Sequence, residues 1–274
     1  DYCIRGNRGT VDYLSIESKA GSFAGGGDMA PTGHITLDEL EADDNGNFEL
    51  RVSSREQPGN WLPMTAATDN LLVRQTFRDR RRERRAEFSI ECLNPDAAPV
   101  LDPAGLVSDL NRVVPFVTGT AGLFRQWMGI FSEHINQLPP NDQSMCLRAG
   151  GDPDIHYHNS YWQLGEDEAL VIAFRPPEQC RTWNFQLSNF WMESLDYRYH
   201  RISVNRHTAV SSDDGRIVIV VSARDPGECY PNWLTTAGHS CGAMLLRYVE
   251  ASDFPPVTTR VVALDELQRG AVDV

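Results

Sequence analysis

The sequence predicts a mainly β protein: two duplicated antiparallel jelly-roll-like β-sandwich units joined by a helical connector. Three observations carry this. A two-residue alternation of apolar and polar side chains recurs at both ends of the chain. The apolar period turns helical only between about residues 103 and 138. A stretch of the first part returns, in step, in the last. The expected organisation is an N-terminal sandwich over 1–98, a connector over 99–141 and a C-terminal sandwich over 142–274.

Taken in order, residues 2–4 begin a strand that ends at the turn Gly6-Asn7-Arg8-Gly9. Residues 10–16 and 34–40 are strand candidates, and Asp43-Asp44-Asn45-Gly46 is a hairpin turn signal. Phe48, Leu50 and Val52 then alternate with Glu49, Arg51 and Ser53. Strands over 71–77 and 87–93 are joined by the charged stretch 78–85. Asp102-Pro103 starts a helix, with aspartate as N-cap and proline at the first helical position. Leu106, Leu110, Val113, Val114 and Val117 follow at helical spacing, then Leu123, Phe124, Trp127, Met128, Phe131 and Ile135. Pro115 to Gly122 reads as a break, so two helices are expected, the second stopped by Pro139-Pro140. Strands return over 157–164, 168–175, 182–190, 201–205, 216–222 and 243–249.

The repeat sets Asn45-Gly46 with Phe48 to Glu56 beside Asp214-Gly215 with Ile217 to Asp225. Both copies continue through Pro-Gly (Pro58-Gly59, Pro226-Gly227) to Asn-Trp-Leu (Asn60-Trp61-Leu62, Asn232-Trp233-Leu234). Each ends in an apolar strand carrying one arginine, Arg74 or Arg247.

Composition narrows the function classes. The 274 residues carry 38 acids against 25 bases, a net charge of −13, which repels a phosphate backbone and argues against nucleic acid. No apolar run approaches the roughly 18 residues of a membrane helix, so a soluble protein without membrane contact is expected. Lys19 is the only lysine; the bland reading of that bias is a GC-rich coding sequence. Six scattered cysteines without a Cys-x-x-Cys pair read as reduced thiols of a cytoplasmic protein. The chain opens at Asp1 in what reads as mid-strand, which suggests a truncated or processed form.

Several motifs also carry a resemblance. Arg5-Gly6-Asn7-Arg8-Gly9-Thr10-Val11 with Tyr13-Leu14-Ser15, Gly59-Asn60-Trp61-Leu62 and Gly150-Gly151-Asp152-Pro153-Asp154 are three of them. Asp167-Glu168-Ala169-Leu170, Trp183-Asn184-Phe185 and Asn232-Trp233-Leu234 through Gly238-His239 complete the set. Together they resemble the bacterial family known as domain of unknown function 1214. The resemblance implies a mostly β fold with jelly-roll-like sandwiches and a helical insertion. It implies a further N-terminal helical region in fuller members, and no settled activity.

The site candidates are read from the residues. His156 and His158 lie two apart on an expected strand, hence on one face, and neutral imidazole is the commonest metal ligand. With Gly150 before and Gln163 after, the pattern is similar to a first cupin motif, but glutamine replaces the usual glutamate and no second motif supplies a third histidine. No metal and no cofactor are therefore expected. His239 stands in the polar loop Thr235 to Gly242 after the second Asn-Trp-Leu and is the candidate general base. Glu193, Asp196 and Asp225 are the candidate carboxylate partners. Cys241 is a less favoured nucleophile. Trp191 and Tyr197, in an aromatic and acidic run with Trp183 and Tyr199, suit a stacking ligand. Trp233, Arg247 and His158 complete the candidate binding set. Arg74 and Arg247 are expected to pair with Glu56 and Asp225, and the six arginines of 78–85 read as a solvated tip.

The reading this supports best is a protein that binds a small polar, aromatic or sugar-like ligand in a cleft formed by sandwich loops. A hydrolase or lyase using His239 with nearby carboxylates is the alternative, and a structural assembly protein a third. A homo-oligomer is a possible assembly.

Overall fold

The computed structural model describes residues 1–23, 28–94 and 102–270. The chain forms two compact units, Asp1–Leu123 with Ser144–Asp152, and Phe124–Gln143 with Pro153–Val274. Residues 99–101 of the expected connector lie outside the described residues.

The first unit holds β1 (Tyr2–Asn7), β2 (Tyr13–Ala20), β3 (Ala30–Thr36), β4 (Asn47–Ser53), β5 (Trp61–Pro63), β6 (Thr68–Thr76) and β7 (Glu87–Cys92). They form one sheet of order β5-β4-β1-β7 and one of order β3-β2-β6. The inward residues Ile4, Leu14, Ile16, Leu50, Val52 and Leu62 make its core, as alternation requires.

The second unit holds β8 (Ile155–Gln163), β9 (Glu168–Phe174), β10 (Thr182–Leu187), β11 (Ser203–Asn205), β12 (Ile217–Ser222), β13 (Trp233–Thr235), β14 (Cys241–Val249) and β15 (Thr258–Ala263). Its sheets run β13-β12-β9-β15 and β11-β10-β14-β8. Trp162, Ile172, Phe174, Trp183, Phe185 and Leu246 are among the side chains that fill the core.

The strand orders correspond one for one, with β8 the extra strand of the second unit. The local pairings agree as well. In the first unit β4 and β5 are parallel and Val52 faces Leu62; in the second β12 and β13 are parallel and Val221 faces Leu234. The Asn-Trp-Leu motif is thus a short parallel edge strand in each unit. Asn60 donates to the carbonyls of Glu41 and Glu49, and Asn232 donates to those of Val210 and Val218.

The helical stretch departs from the sequence expectation. One helix, α1 (Pro103–Phe131), runs through Pro115 without a break. Asp102 caps it as expected, accepting from Gly105 N at 2.9 Å. Proline removes one N–H and crowds the preceding turn, and the Thr118 hydroxyl donates to Val114 O at 2.9 Å and that of Thr120 to Phe116 O at 2.7 Å. The carbonyl that Pro115 leaves without a donor is that of Asn111, which is exposed and open to water, so the glycines and proline do not end the helix. It stops at Phe131, before the Pro-Pro pair, and passes through a 3-10 turn at Ser132–His134. Two short helices follow later, α2 (Gln143–Arg148) and α3 (Leu264–Gln268). Among the described residues no helix is long and apolar enough to cross a membrane.

Candidate functional site

Strand β2 is buried on both faces, but only one face is apolar. Leu14 and Ile16 point into the core, while Tyr13, Ser15, Glu17 and Lys19 share the opposite face, all fully buried. A strand that buries a carboxylate and an ammonium must supply partners for both, because an unpaired buried charge costs several kcal/mol. The partners come from the neighbouring strands and from the segment after α2. His34 on β3 faces Glu17, and Arg74 on β6 faces Ser15.

Gly150 ends α2 at φ +88° and Gly151 packs on Cys146 O so closely that a Cβ would sit 2.6 Å from it. This tight cap delivers two carbonyls and one carboxylate to the polar face. Lys19 Nζ donates to Gly151 O at 2.9 Å and ion-pairs with Glu17. Arg74 reaches Glu17 with one nitrogen and Gly150 O with another. Asp152, fully buried, accepts from Tyr13 OH at 3.1 Å on each oxygen and from Ser15 Oγ at 2.5 Å. His34 Nε2 lies 3.5 Å from Asp152 Oδ1, and Arg74 Nη1 lies 4.0 Å from Oδ2.

Burial pushes the Glu17 carboxyl above its ordinary range, against the pull of Lys19 and Arg74. The side chains of His34 and Arg74 are 21% and 24% exposed, so the network meets solvent at these two. Chemically it combines a carboxyl held toward its protonated form, an ammonium beside it, and a second carboxylate between a phenol, a hydroxyl and an imidazole. That set can hold a polar ligand by charge-assisted hydrogen bonds, or move a proton.

The second unit lacks this set. Asn184 faces Arg247 as Ser15 faces Arg74, so Asn184, Gln186 and Ser188 stand where the first unit has Ser15, Glu17 and Lys19. Ser203 faces Gln186 where His34 faces Glu17. Arg247 keeps its place, with its guanidinium carbon 5.9 Å from the Tyr157 ring centroid. The unit that carries the ionisable face is therefore the N-terminal one.

The residues singled out from sequence lie elsewhere, in the second unit. His239 is exposed, and its backbone N–H closes a turn onto Thr236 O at 3.0 Å. Among the described residues no hydrogen bond or ion pair joins its ring to Glu193, Asp196 or Asp225. Glu193 accepts from Asn189 Nδ2 at 2.7 Å, and Asn189 Oδ1 accepts from the backbone of Trp191. Asp196 is engaged by Arg198, which holds its carboxyl below the usual range. Asp225 caps Gly227 N at 2.8 Å. Trp191 and Tyr197 are exposed. Cys241, partly buried, begins β14. Trp233 is half-buried against Val171, Val220 and Leu264 and donates to Ser222 Oγ at 3.0 Å. His158 is buried, with Nδ1 3.2 Å from Leu138 O. Arg74 pairs with Glu17 rather than Glu56, because its strand neighbour β2 turns that carboxylate onto the same face. In the stretch 78–85, Arg78 reaches buried Asp12 at 2.6 Å, and Asp79 with Glu83 closes the turn. An open groove of about 770 Å³ lies between loops of the first unit, lined by polar groups that include Glu41, Asp43, Glu49, Arg51 and Asn60.

Sequence reasoning missed Glu17, Lys19, His34 and Asp152. The available signal was the lone lysine among 24 arginines, on a strand that alternates with apolar residues only as far as Glu17.

Fold and site together define a two-unit, mainly antiparallel β protein with an ionisable sheet face in its first unit. Residues 162–253 match the model of the family described as protein of unknown function (DUF1214). An uncharacterised protein from Burkholderia cenocepacia, of known crystal structure, is 44% identical with a TM-score of 0.92, over 96% of this chain and 73% of that one. The chain thus carries a DUF1214-type region in its second unit. The VPA0106 protein from Vibrio parahaemolyticus shares the fold at a TM-score of 0.54 and 11% identity, over 95% of this chain and 86% of that one. No curated protein matches the sequence.

Proposed function

We propose that the protein binds a small polar ligand at the ionisable face of its first unit, through His34 and Arg74 at the rim and Glu17, Lys19 and Asp152 behind them. The observation that carries this is the burial of two carboxylates and the chain's only lysine on one strand face and its cover. Burial raises the Glu17 carboxyl, and perturbed ionisable groups cluster at functional sites. The shared strand order supports an origin of the two units by duplication of a jelly-roll-like sandwich, with the ionisable face kept or acquired in one copy. Six free thiols support a cytoplasmic location. Apolar side chains left exposed along α1, from Leu106 to Val117, support a homo-oligomer.

A second reading has one specific observation in its favour. Trp191, Tyr197 and Tyr199 are exposed in one loop, with Glu193 and Asp196 between them. This suits a saccharide-like ligand stacking on rings.

A thermal-shift screen of small carboxylic acids, aromatic acids and sugars separates the two. A ligand at 100 times its dissociation constant stabilises the native state by about 2.7 kcal/mol. For a ligand of the first unit the shift is expected to disappear in His34→Ala and to persist in Trp191→Ala and His239→Ala. Loss in Trp191→Ala with retention in His34→Ala selects the second reading and refutes the first.

A further inference from the structure

Strands β8 and β14 pair so that His156 faces Tyr248 and His158 faces Leu246. Alternation puts His156, His158 and Tyr248 on one face of the sheet. His158 is 2% exposed and Tyr248 fully buried. Three polar atoms of this cluster, Nε2 of His156, Nε2 of His158 and the Tyr248 hydroxyl, are buried with no hydrogen-bond partner. Buried polar atoms are nearly always satisfied, and several orphans in one place call for a missing partner.

The rings pack against one another in a continuous cluster. His156 and His158 have centroids 5.2 Å apart, and His158 meets Tyr248 at 5.6 Å and 88°. Phe254 stacks on His156 at 3.5 Å and 14°. The second nitrogen of His158 lies 3.2 Å from the Leu138 carbonyl. A carbonyl accepts only from N–H, so the proton sits on Nδ1 and Nε2 keeps its lone pair, buried and without a partner. Metal-ligating histidines are oriented in this way, by an outer hydrogen bond that fixes tautomer and ring plane.

We propose that His156 Nε2, His158 Nε2 and the Tyr248 oxygen form a binding site for a divalent transition-metal ion of the zinc or copper class. Two imidazoles and a phenol oxygen are the donors such ions accept. On binding, two nitrogen lone pairs and the phenolate oxygen bond the ion, and the phenol proton leaves to solvent. The ion gains access past Phe254, which is 45% exposed above the partly exposed His156. The His-x-His pattern on its own predicts no metal, because the third donor arrives from β14, far along the chain.

The test uses the whole protein, freed of metal with a chelator and titrated with Zn2+ in a weakly buffered solution by calorimetry. Binding of one equivalent is expected, with release of one proton. His156→Ala and Tyr248→Phe are each expected to weaken it by at least about tenfold, and Tyr248→Phe to abolish the proton release. Tyr248→Phe removes a single oxygen, so its fold is retained and checked by near-ultraviolet circular dichroism. Failure of the folded wild-type protein to take up Zn2+ or Cu2+, or uptake that both variants leave unchanged, overturns the site. A buried water then satisfies the three atoms.

Discussion

Lys19→Ala is expected to destabilise the protein by about 3–5 kcal/mol, read as a lower midpoint of urea unfolding at unchanged slope. The ammonium is fully buried, ion-paired with Glu17 and hydrogen-bonded to Gly151 O. Deleting it leaves Glu17 with Arg74 alone and strips the Gly151 carbonyl of its donor. The double variant Glu17→Gln/Lys19→Met removes both charges and is expected to recover a substantial part of the loss, because a buried pair replaced whole is far less costly than a pair broken. The pH dependence carries its own sign. The folded carboxyl of Glu17 lies above its unfolded value of about 4.5, so its contribution is fully present below that value and is lost as pH rises through the folded one. In Lys19→Ala the carboxyl loses an ally, so the deficit against wild type should shrink on acidification. A deficit under about 1 kcal/mol at neutral pH, or one that grows as pH falls, would falsify the view of Glu17 and Lys19 as a strongly coupled buried pair.

The same residue shows what the sequence could and could not convey. Alternation on β2 is plain, and it places Leu14 and Ile16 on the core side. Nothing in a local pattern says that the opposite, polar side is also buried. That depends on the segment after α2, which brings Asp152 from far along the chain. A lone lysine among 24 arginines is open to a compositional reading. In the structure it occupies a fully buried site with Glu17 and Gly151 O as its partners, which suits a compact ammonium, whereas a guanidinium brings five donors to satisfy.

His239 illustrates the opposite case. A glycine-flanked polar loop after an anchored tryptophan has the sequence character of a site, but the loop places its ring in solvent. Glu193, Asp196 and Asp225 are taken up by their own turns. Ionisable residues in turns often serve the turn, and sequence spacing does not distinguish that service from catalysis. In α1 the reverse happened: Pro115 is a strong local stop signal, and the helix runs through it on an exposed stretch where water can take the carbonyl left free at Asn111.

The repeat was legible because its residues do the same local work twice, and this gives the second large expected effect. Asn232→Ala is expected to cost about 2–4 kcal/mol, and Asn60→Ala clearly less, about 1–2 kcal/mol. Asn232 is buried; its amide donates to Val210 O at 2.7 Å and Val218 O at 2.9 Å, and its oxygen accepts from Val210 N at 2.8 Å. Alanine leaves those backbone groups without partners where water reaches poorly. Asn60 makes the matching three bonds, to Glu41 O, Glu49 O and Glu41 N, but its site is more exposed. Water can replace part of what is lost there. Asn232→Asp keeps the acceptor and removes the donors, so it should fall near alanine and not near wild type. Equal losses at the two asparagines, measured by the same denaturant unfolding, would mean that burial does not set the difference. Near-zero loss at both would mean that the motif anchors its parallel edge strand through Trp61 and Trp233, whose indole nitrogens bond to Ser53 O at 3.2 Å and Ser222 Oγ at 3.0 Å, rather than through the asparagines.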